Sequence, residues 1–254
     1  MKTLKRNLLL AILLTGGVFA FSECTKESVV DGVQTPSDTK TLNANTQTGS
    51  NSVEATTTQN TAAGYLSDCI TSFAIEPLST SETDALIMMR EEELLAHDVY
   101  VYLYSLYELP VFNNISKSET QHSEAVRTLL LKYSLTDPAA NHFAGVFINS
   151  DLQALYTGLV AQGKVSLTAA LAVGATIEDL DINDLHNHIA ADVDNQDILF
   201  VFGNLEKGSR NHLRSFNRLL TAKGVAYTPQ YISVEYFNQI ISTPHETGSA
   251  GCPK

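Results

Sequence analysis

The stretch from Leu78 to Tyr107, LSTSETDALIMMREEELLAHDVYVYLYSLY, decides the fold class. It holds neither Gly nor Pro, and its apolar residues recur at spacings of three and four, the period of a helix buried along one face. Ser79 or Thr80 can cap its start, and Glu82 and Asp84 fall in the first turn, where the helix dipole favours acids. The pattern runs to about Tyr107 and stops before Pro110. Working outward, the same texture predicts a helix from Asn113 or Asn114 to Tyr133. A shorter pair follows over Ser150 to Gln162 and Ser166 to Val173. Two more long helices run over Thr176 to Ala191 and Asn195 to Ala222, the latter closed by Gly224. A last short helix covers Ser233 to Ile241. Alternating strand patterns are missing. The expectation is an all-α fold, a four-helix bundle with short extra helices.

The chain has 254 residues and a formal net charge of -12. Lys and Arg are too few for phosphate neutralisation, so nucleic acid is not an expected partner. Three Cys exclude a disulfide-dense scaffold. Lys2, Lys5 and Arg6 precede the apolar run Leu8 to Leu14, and Thr15, Gly16 and Gly17 interrupt it before Val18 to Phe21. This is the layout of a secretory signal over residues 1–24. Two exits are open. Val18-Phe19-Ala20 suits a signal peptidase, whereas Phe21-Ser22-Glu23-Cys24 resembles a bacterial lipobox with Cys24 as the lipidated residue. Residues 25–77 are Thr-rich and poor in large apolar groups, as in a flexible tether and lead-in, which favours the anchored form. The expectation is export to the cell envelope, as a membrane-anchored lipoprotein or a secreted chain. The helical domain then spans 78–242 and a tail 243–254. In an oxidising compartment Cys69 and Cys252 could form one bridge.

The helix seams carry the chemistry. They read Leu86, Met89, Glu93, Ala96, Tyr100, Leu103, Tyr107 in the first long helix, and Ile115, Glu119, His122, Val126, Leu129, Tyr133 in the second. The third reads Leu171, Gly174, Glu178, Asp181, Leu185, His188, and the fourth Ile198, Phe202, Leu205, Ser209, His212, Phe216, Leu219. Each seam is interrupted by carboxylates, imidazoles or both. An ionised carboxylate in a core costs several kcal/mol unless it is paired or bound to metal. Oxygen and imidazole donors together suit iron, manganese and zinc. Glu119-x-x-His122 is the most specific piece, because a spacing of three sends both side chains off one face. The expected ligands are Glu93, Glu119, His122, Glu178, Asp181 and His212. Glu91 and Glu92 read as solvated surface, as charge runs usually do. His97 and His186 fall off the seams, His188 reads as a core or capping residue, and His142 and His245 lie in loops. Tyr100 reads as a packed core aromatic that could also support the ligands.

The stretch Arg90 to Tyr100 resembles the first helix of rubrerythrin-like members of the ferritin-like superfamily, in which a ligand Glu is followed by Ala at three and Tyr at seven. Glu93, Ala96 and Tyr100 fit that spacing. Ser118-Glu119-Thr120-Gln121-His122 resembles the second-helix ligand pair, and Gly208 to Phe216 the fourth-helix block. More closely, Leu78 to Ile241 resembles a bacterial and archaeal ferritin-like family catalogued as a domain of unknown function, in Glu91-Glu92-Glu93, Gly203 to Phe216 and Pro229 to Ser233. The resemblance implies a ferritin-like bundle and a site for two iron ions, with manganese or zinc as substitutes. It departs from the pattern at Ser209, where rubrerythrins carry Glu, and Asp181 could replace that carboxylate from the third helix. Glu93 and Glu119 are also only 26 residues apart, which puts them at different heights on regular helices; extended chain over Pro110 to Asn113 could recover the offset, and otherwise Glu93 leaves the site.

These readings imply an exported dimetal oxidoreductase acting on oxygen, peroxide or ferrous iron, of ferroxidase or peroxidase type. It would need an external electron donor, since no rubredoxin-type Cys site is present, and a homodimer is one assembly it permits. The alternative is a tethered, non-catalytic binding or structural module with a degenerate or single-metal site.

Overall fold

The computed structural model describes residues 67–248, whose regular elements are all helices, with a single isolated bridge between Phe143 and Val146 among them. The helices are α1 (Thr80–Tyr107), α2 (Pro110–Lys132), α3 (Ser150–Gly163), α4 (Leu167–Ala191), α5 (Gln196–Ala222) and α6 (Val234–Ser242). No helix among the described residues is long and apolar enough to cross a membrane. The proposed signal, Cys24, most of the tether and Cys252 lie outside the described residues. Residues 67–72 form a short helical segment, and its Cys69 is buried and disulfide-bonded. Lys132 Nζ ties this segment down through the carbonyls of Ile70 and Phe73, each at 3.1 Å.

Local chemistry explains the boundaries. Ser79 accepts from the Glu82 amide at 3.1 Å while Glu82 Oε2 accepts from the Ser79 amide at 2.8 Å, a reciprocal capping box at the start of α1. Glu82 Oε1 also accepts from the amides of Asp194 and Asn195, so one buried carboxylate closes the starts of α1 and α5. Two expected boundaries move. Helix α2 begins at Pro110 rather than Asn113, because proline at the first helical position loses no hydrogen bond and presets φ. Helix α4 is continuous from Leu167 to Ala191, where the sequence suggests two helices split near Gly174. Gly174 is a packing gap, not a break: a Cβ there would overlap the Phe216 ring.

The packing partners are α1 with α2 and α4 with α5, with further contacts of α2 on α5 and α1 on α4. Helix α3 lies against both α1 and α4, and α6 against α5. Two apolar clusters fix the directions. One gathers Ala85 to Met89 of α1, Ala125 to Leu130 of α2, Leu185 of α4 and Ile198 to Leu205 of α5. The other gathers Leu95 to Leu103, Phe112 and Ile115, Ala170 to Ile182, and Leu213 to Leu220 of the same four helices. Helices α1 and α5 therefore run one way, and α2 and α4 the other. The parallel step from α2 to α4 is the long connection that contains α3.

Candidate metal centre

Glu93, Glu119, His122, Ser209 and His212 fall between the two apolar clusters on their helices, and Glu178 and Asp181 of α4 interleave with Ile177, Leu180 and Ile182, so that together they form a polar layer across the core. Glu93, Glu119 and Glu178 are 1–2% exposed. Their ligand atoms and those of the two imidazoles make two groups, Glu93–Glu119–His122 and Glu119–Glu178–His212, each converging within 4.8 Å. Glu119 belongs to both. Its Oε2 lies 2.7 Å from His122 Nδ1, and its Oε1 lies 2.9 Å from His212 Nδ1. Glu93 Oε2 approaches His122 Nδ1 at 3.2 Å, and Glu178 Oε2 approaches His212 Nδ1 at 3.3 Å. The imidazole rings stack with centroids 5.6 Å apart.

Each Nδ1 thus faces two carboxylates at once, although a single N–H can point at only one. Glu119 Oε1, although 2.9 Å from His212 Nδ1, and Glu93 Oε1 are buried without an aligned hydrogen-bond donor. Orphaned oxygens and converging nitrogens are the arrangement a cation would satisfy. On the far side of its ring, His212 Nε2 sits 3.1 Å from Ser118 Oγ. Donation from Nε2 to that hydroxyl leaves Nδ1 as a lone pair aimed at the centre.

Electrostatics without a cation show the same mutual dependence. Burial would push His212 down, but the Glu119 and Glu178 carboxylates hold it up to about 10. Burial likewise opposes the charge on His122, and Glu93 and Glu119 overcome it. Burial pushes Glu93 up to about 7 against the pull of His122. Burial would raise Glu119 too, but the two imidazoles hold it below the usual carboxylate range.

The expected level mismatch is resolved without extended chain. With about 1.5 Å of rise per residue, Glu93 lies roughly 21 Å before the end of α1, and His122 roughly 18 Å after the start of α2. The two are nearly level across the tight turn at Glu108, whose φ is 49°. Glu119 sits one turn nearer the connection and reaches both groups from there.

Asp181 stands apart from both groups. Its Oδ2 accepts the Ser209 hydroxyl, and its Oδ1 has no hydrogen-bond partner. Tyr100 is buried among Phe112 and Phe216, and its hydroxyl donates to Glu178 Oε1. Burial and the Glu178 charge push that hydroxyl well above its ordinary pKa, so it remains a donor. A Cβ at Gly208 would lie 2.6 Å from His122 Nε2, so the glycine makes room for the imidazole.

Glu91 and Glu92 are not solvated. Helix α3 covers that face of α1, and both residues are 4–5% exposed. Glu91 caps the start of α3, accepting from the Ile148 amide at 2.6 Å and the Asn149 amide at 3.2 Å. Glu92 has no hydrogen-bond partner on either oxygen, and burial with Asp184, Asp181 and Glu93 raises it well above the carboxylate range. Three further residues are held in place away from the centre, of which only His188 is legible in the sequence, as a core or capping residue. His142 Nε2 meets the buried Asp98 at 2.8 Å, and His188 is buried with Nδ1 2.9 Å from Asp192. Asp179 accepts from the Tyr227 hydroxyl at 2.8 Å and the Ile232 amide at 2.9 Å. That fastens the Pro229 to Ser233 segment to α4.

An all-helical protein with a buried layer of carboxylates and imidazoles is the class these observations define. Residues 82–244 match the family described as "Uncharacterized protein domain (DUF2202)", and the chain belongs to this family. It is 51% identical over 179 residues to the uncharacterized protein MJ0754 of Methanocaldococcus jannaschii, covering 70% of this chain and 96% of that protein. The crystal structure of hypothetical protein MJ0754 from Methanococcus jannaschii superposes with a TM-score of 0.67 at 51% identity, covering 68% of this chain and 99% of that one.

Proposed function

We propose that the chain is a ferritin-like dimetal carboxylate protein, a four-helix bundle whose centre takes two iron ions and serves an oxidoreductase acting on oxygen, peroxide or ferrous iron. The observation that carries this reading is Glu119, whose two oxygens are shared between two Glu/His groups. The helix directions support it, since one long crossover joining two parallel helices is the ferritin-like connection. So does the donor distribution. That class takes one Glu from each of two helices and Glu-x-x-His from each of the other two. Here α1 and α4 supply Glu93 and Glu178, α2 supplies Glu119-x-x-His122, and α5 supplies Ser209-x-x-His212.

Bound in this layer, two iron ions would supply electrons and open coordination positions for an oxidant. The chain's own residues then have defined tasks. Glu119 bridges the groups, Glu93 and Glu178 complete one each, and His122 and His212 give nitrogen donors through Nδ1. Tyr100 positions Glu178 by donating to it. The flanking apolar clusters exclude bulk water. An external donor would return electrons, and the N-terminal segment would place the domain at the cell envelope, through a lipid on Cys24 or as a secreted chain.

Ser209 gives a second reading its specific support. It removes one bridging carboxylate, and Asp181, bonded to Ser209, does not join either group. A single-metal or purely structural module follows if Glu119 holds only one ion. Metal analysis of the full-length chain after anaerobic loading with ferrous iron separates the readings: about two ions per chain for the dimetal centre, about one for the degenerate site.

A further inference from the structure

A centre whose carboxylates are 1–2% exposed needs a way in for its ion. We propose that Glu92, Asp184 and Asp181 form an access route along which a divalent cation passes from the surface around Asn183 and Tyr231 to the dimetal centre, a proposal that rests on the dimetal reading above.

The three acids lie between a surface cavity and a small inner one. At its outer end a surface cavity of about 470 Å³ is lined by Asn183 and Tyr231. Asn183 Nδ2 donates to Asp184 Oδ1 at 3.0 Å, so the cavity wall touches the first acid. Asp184 and Glu92 lie close enough to Tyr231 for their charges to hold its hydroxyl up, after burial and together with Asp179. Glu92 comes next, 4% exposed, with no donor group against either oxygen and the Asp184 side chain beside it. The charges acting on it, Asp184, Asp181 and Glu93, are all negative. At the inner end Glu92 and Asp181 line an enclosed cavity of about 10 Å³ together with Glu119 and Glu178 of the centre. Asp181 Oδ1 is also without a hydrogen-bond partner.

A purely structural core has no use for an unpartnered carboxylate in this position, because burial without a partner destabilises the fold. A cation in transit supplies the missing partner. Among the described residues only the two triads of the centre converge within 4.8 Å. Glu92, Asp184 and Asp181 are therefore spaced for hand-over and not for permanent holding. Acids in a low-dielectric channel also concentrate cations at its mouth and speed their capture.

The test follows the uptake of Co²⁺ by the metal-free full-length chain, by stopped-flow absorbance, with final cobalt per chain from elemental analysis. Glu92→Gln and Asp184→Asn are compared with wild type and with Asp151→Asn, which removes an exposed acid at the start of α3. The two route variants should load more slowly by about tenfold or more, the lower end of what charge focusing contributes. They should reach the wild-type cobalt content, since neither residue belongs to either triad of the centre. Asp151→Asn should load at the wild-type rate. Wild-type rates in both route variants would overturn the route and place ion access on the side of the partly exposed imidazoles. A lower final content would overturn it too, making Glu92 or Asp184 a ligand. Failure of the wild-type chain itself to take up cobalt would instead remove the dimetal reading, and the route with it.

Discussion

The Ser209 hydroxyl on α5 donates to Asp181 Oδ2 on α4 and lies 3.0 Å from the carbonyl of Leu205 one turn back, in a fully buried position. The serine therefore stabilises a carboxylate that no cation neutralises in either triad. Ser209→Ala would leave both Asp181 oxygens without a partner. The expected loss is on the order of 1–3 kcal/mol of stability, the cost of an unsatisfied buried group. Metal content should not change. Urea melts with metal analysis on the same sample check both parts, and a drop in metal would show that Asp181 acts as a ligand.

Gly208 and Gly203 share α5 but differ in surroundings. A Cβ at 208 meets His122 at 2.6 Å, and a Cβ at 203 meets nothing within 4 Å. Gly208→Ala should displace the imidazole and weaken the Glu93–His122 group, lowering metal content by about one ion per chain if two are held. Gly203→Ala should keep full content and gain up to about 1 kcal/mol from helix propensity. Equal behaviour of the two variants would contradict the packing role given to Gly208.

Glu91 caps α3 from a different helix. Glu91→Ala should cost about 1–2 kcal/mol, as loss of a strong cap does. Hydrogen exchange should localise the loss to the amides of residues 148–152, with the polar layer unaffected. Uniform acceleration of exchange along α1 would point to a different role.

The helical period alone makes the seam positions of Glu93, Glu119, Glu178 and His212 legible in the sequence, because a bundle buries one stripe and polar residues in it stand out. Glu91 and Glu92 are not legible there, since a run of three acids looks like a solvated face until a crossing helix is known to cover it. Gly174 looks like a boundary because sequence cannot distinguish a glycine that ends a helix from one that admits Phe216. Pro110 looks like extended chain, yet the first helical position suits it. Gly208 carries no signal at all, as its role exists only in contact with His122 of another helix.

The C-terminal segment gives a pH dependence. Glu246 bonds Arg210 at 2.7 and 2.8 Å and Arg214 at 2.9 Å, and its backbone pairs with Asn211. The hydrogen bonds from Arg210, then from Arg214, lower its carboxyl from 4.5 to about 2. The folded value lies below the ordinary one, so this contribution is complete above 4.5 and is lost as pH falls towards 2. Hydrogen exchange over residues 240–246 should therefore quicken between those values, ahead of the helical core. Glu246→Gln should show faster exchange already at neutral pH and no added acid step.

Everything proposed for the centre depends on one carboxylate, Glu119, being shared by two metal-binding groups. The most direct measurement is metal per chain in the full-length protein after anaerobic ferrous loading, for wild type, Glu93→Gln and Glu119→Gln. Sharing predicts about two, about one and close to none, because Glu93 serves one group and Glu119 serves both. Equal losses from the two variants, or no metal in the wild type, would contradict it.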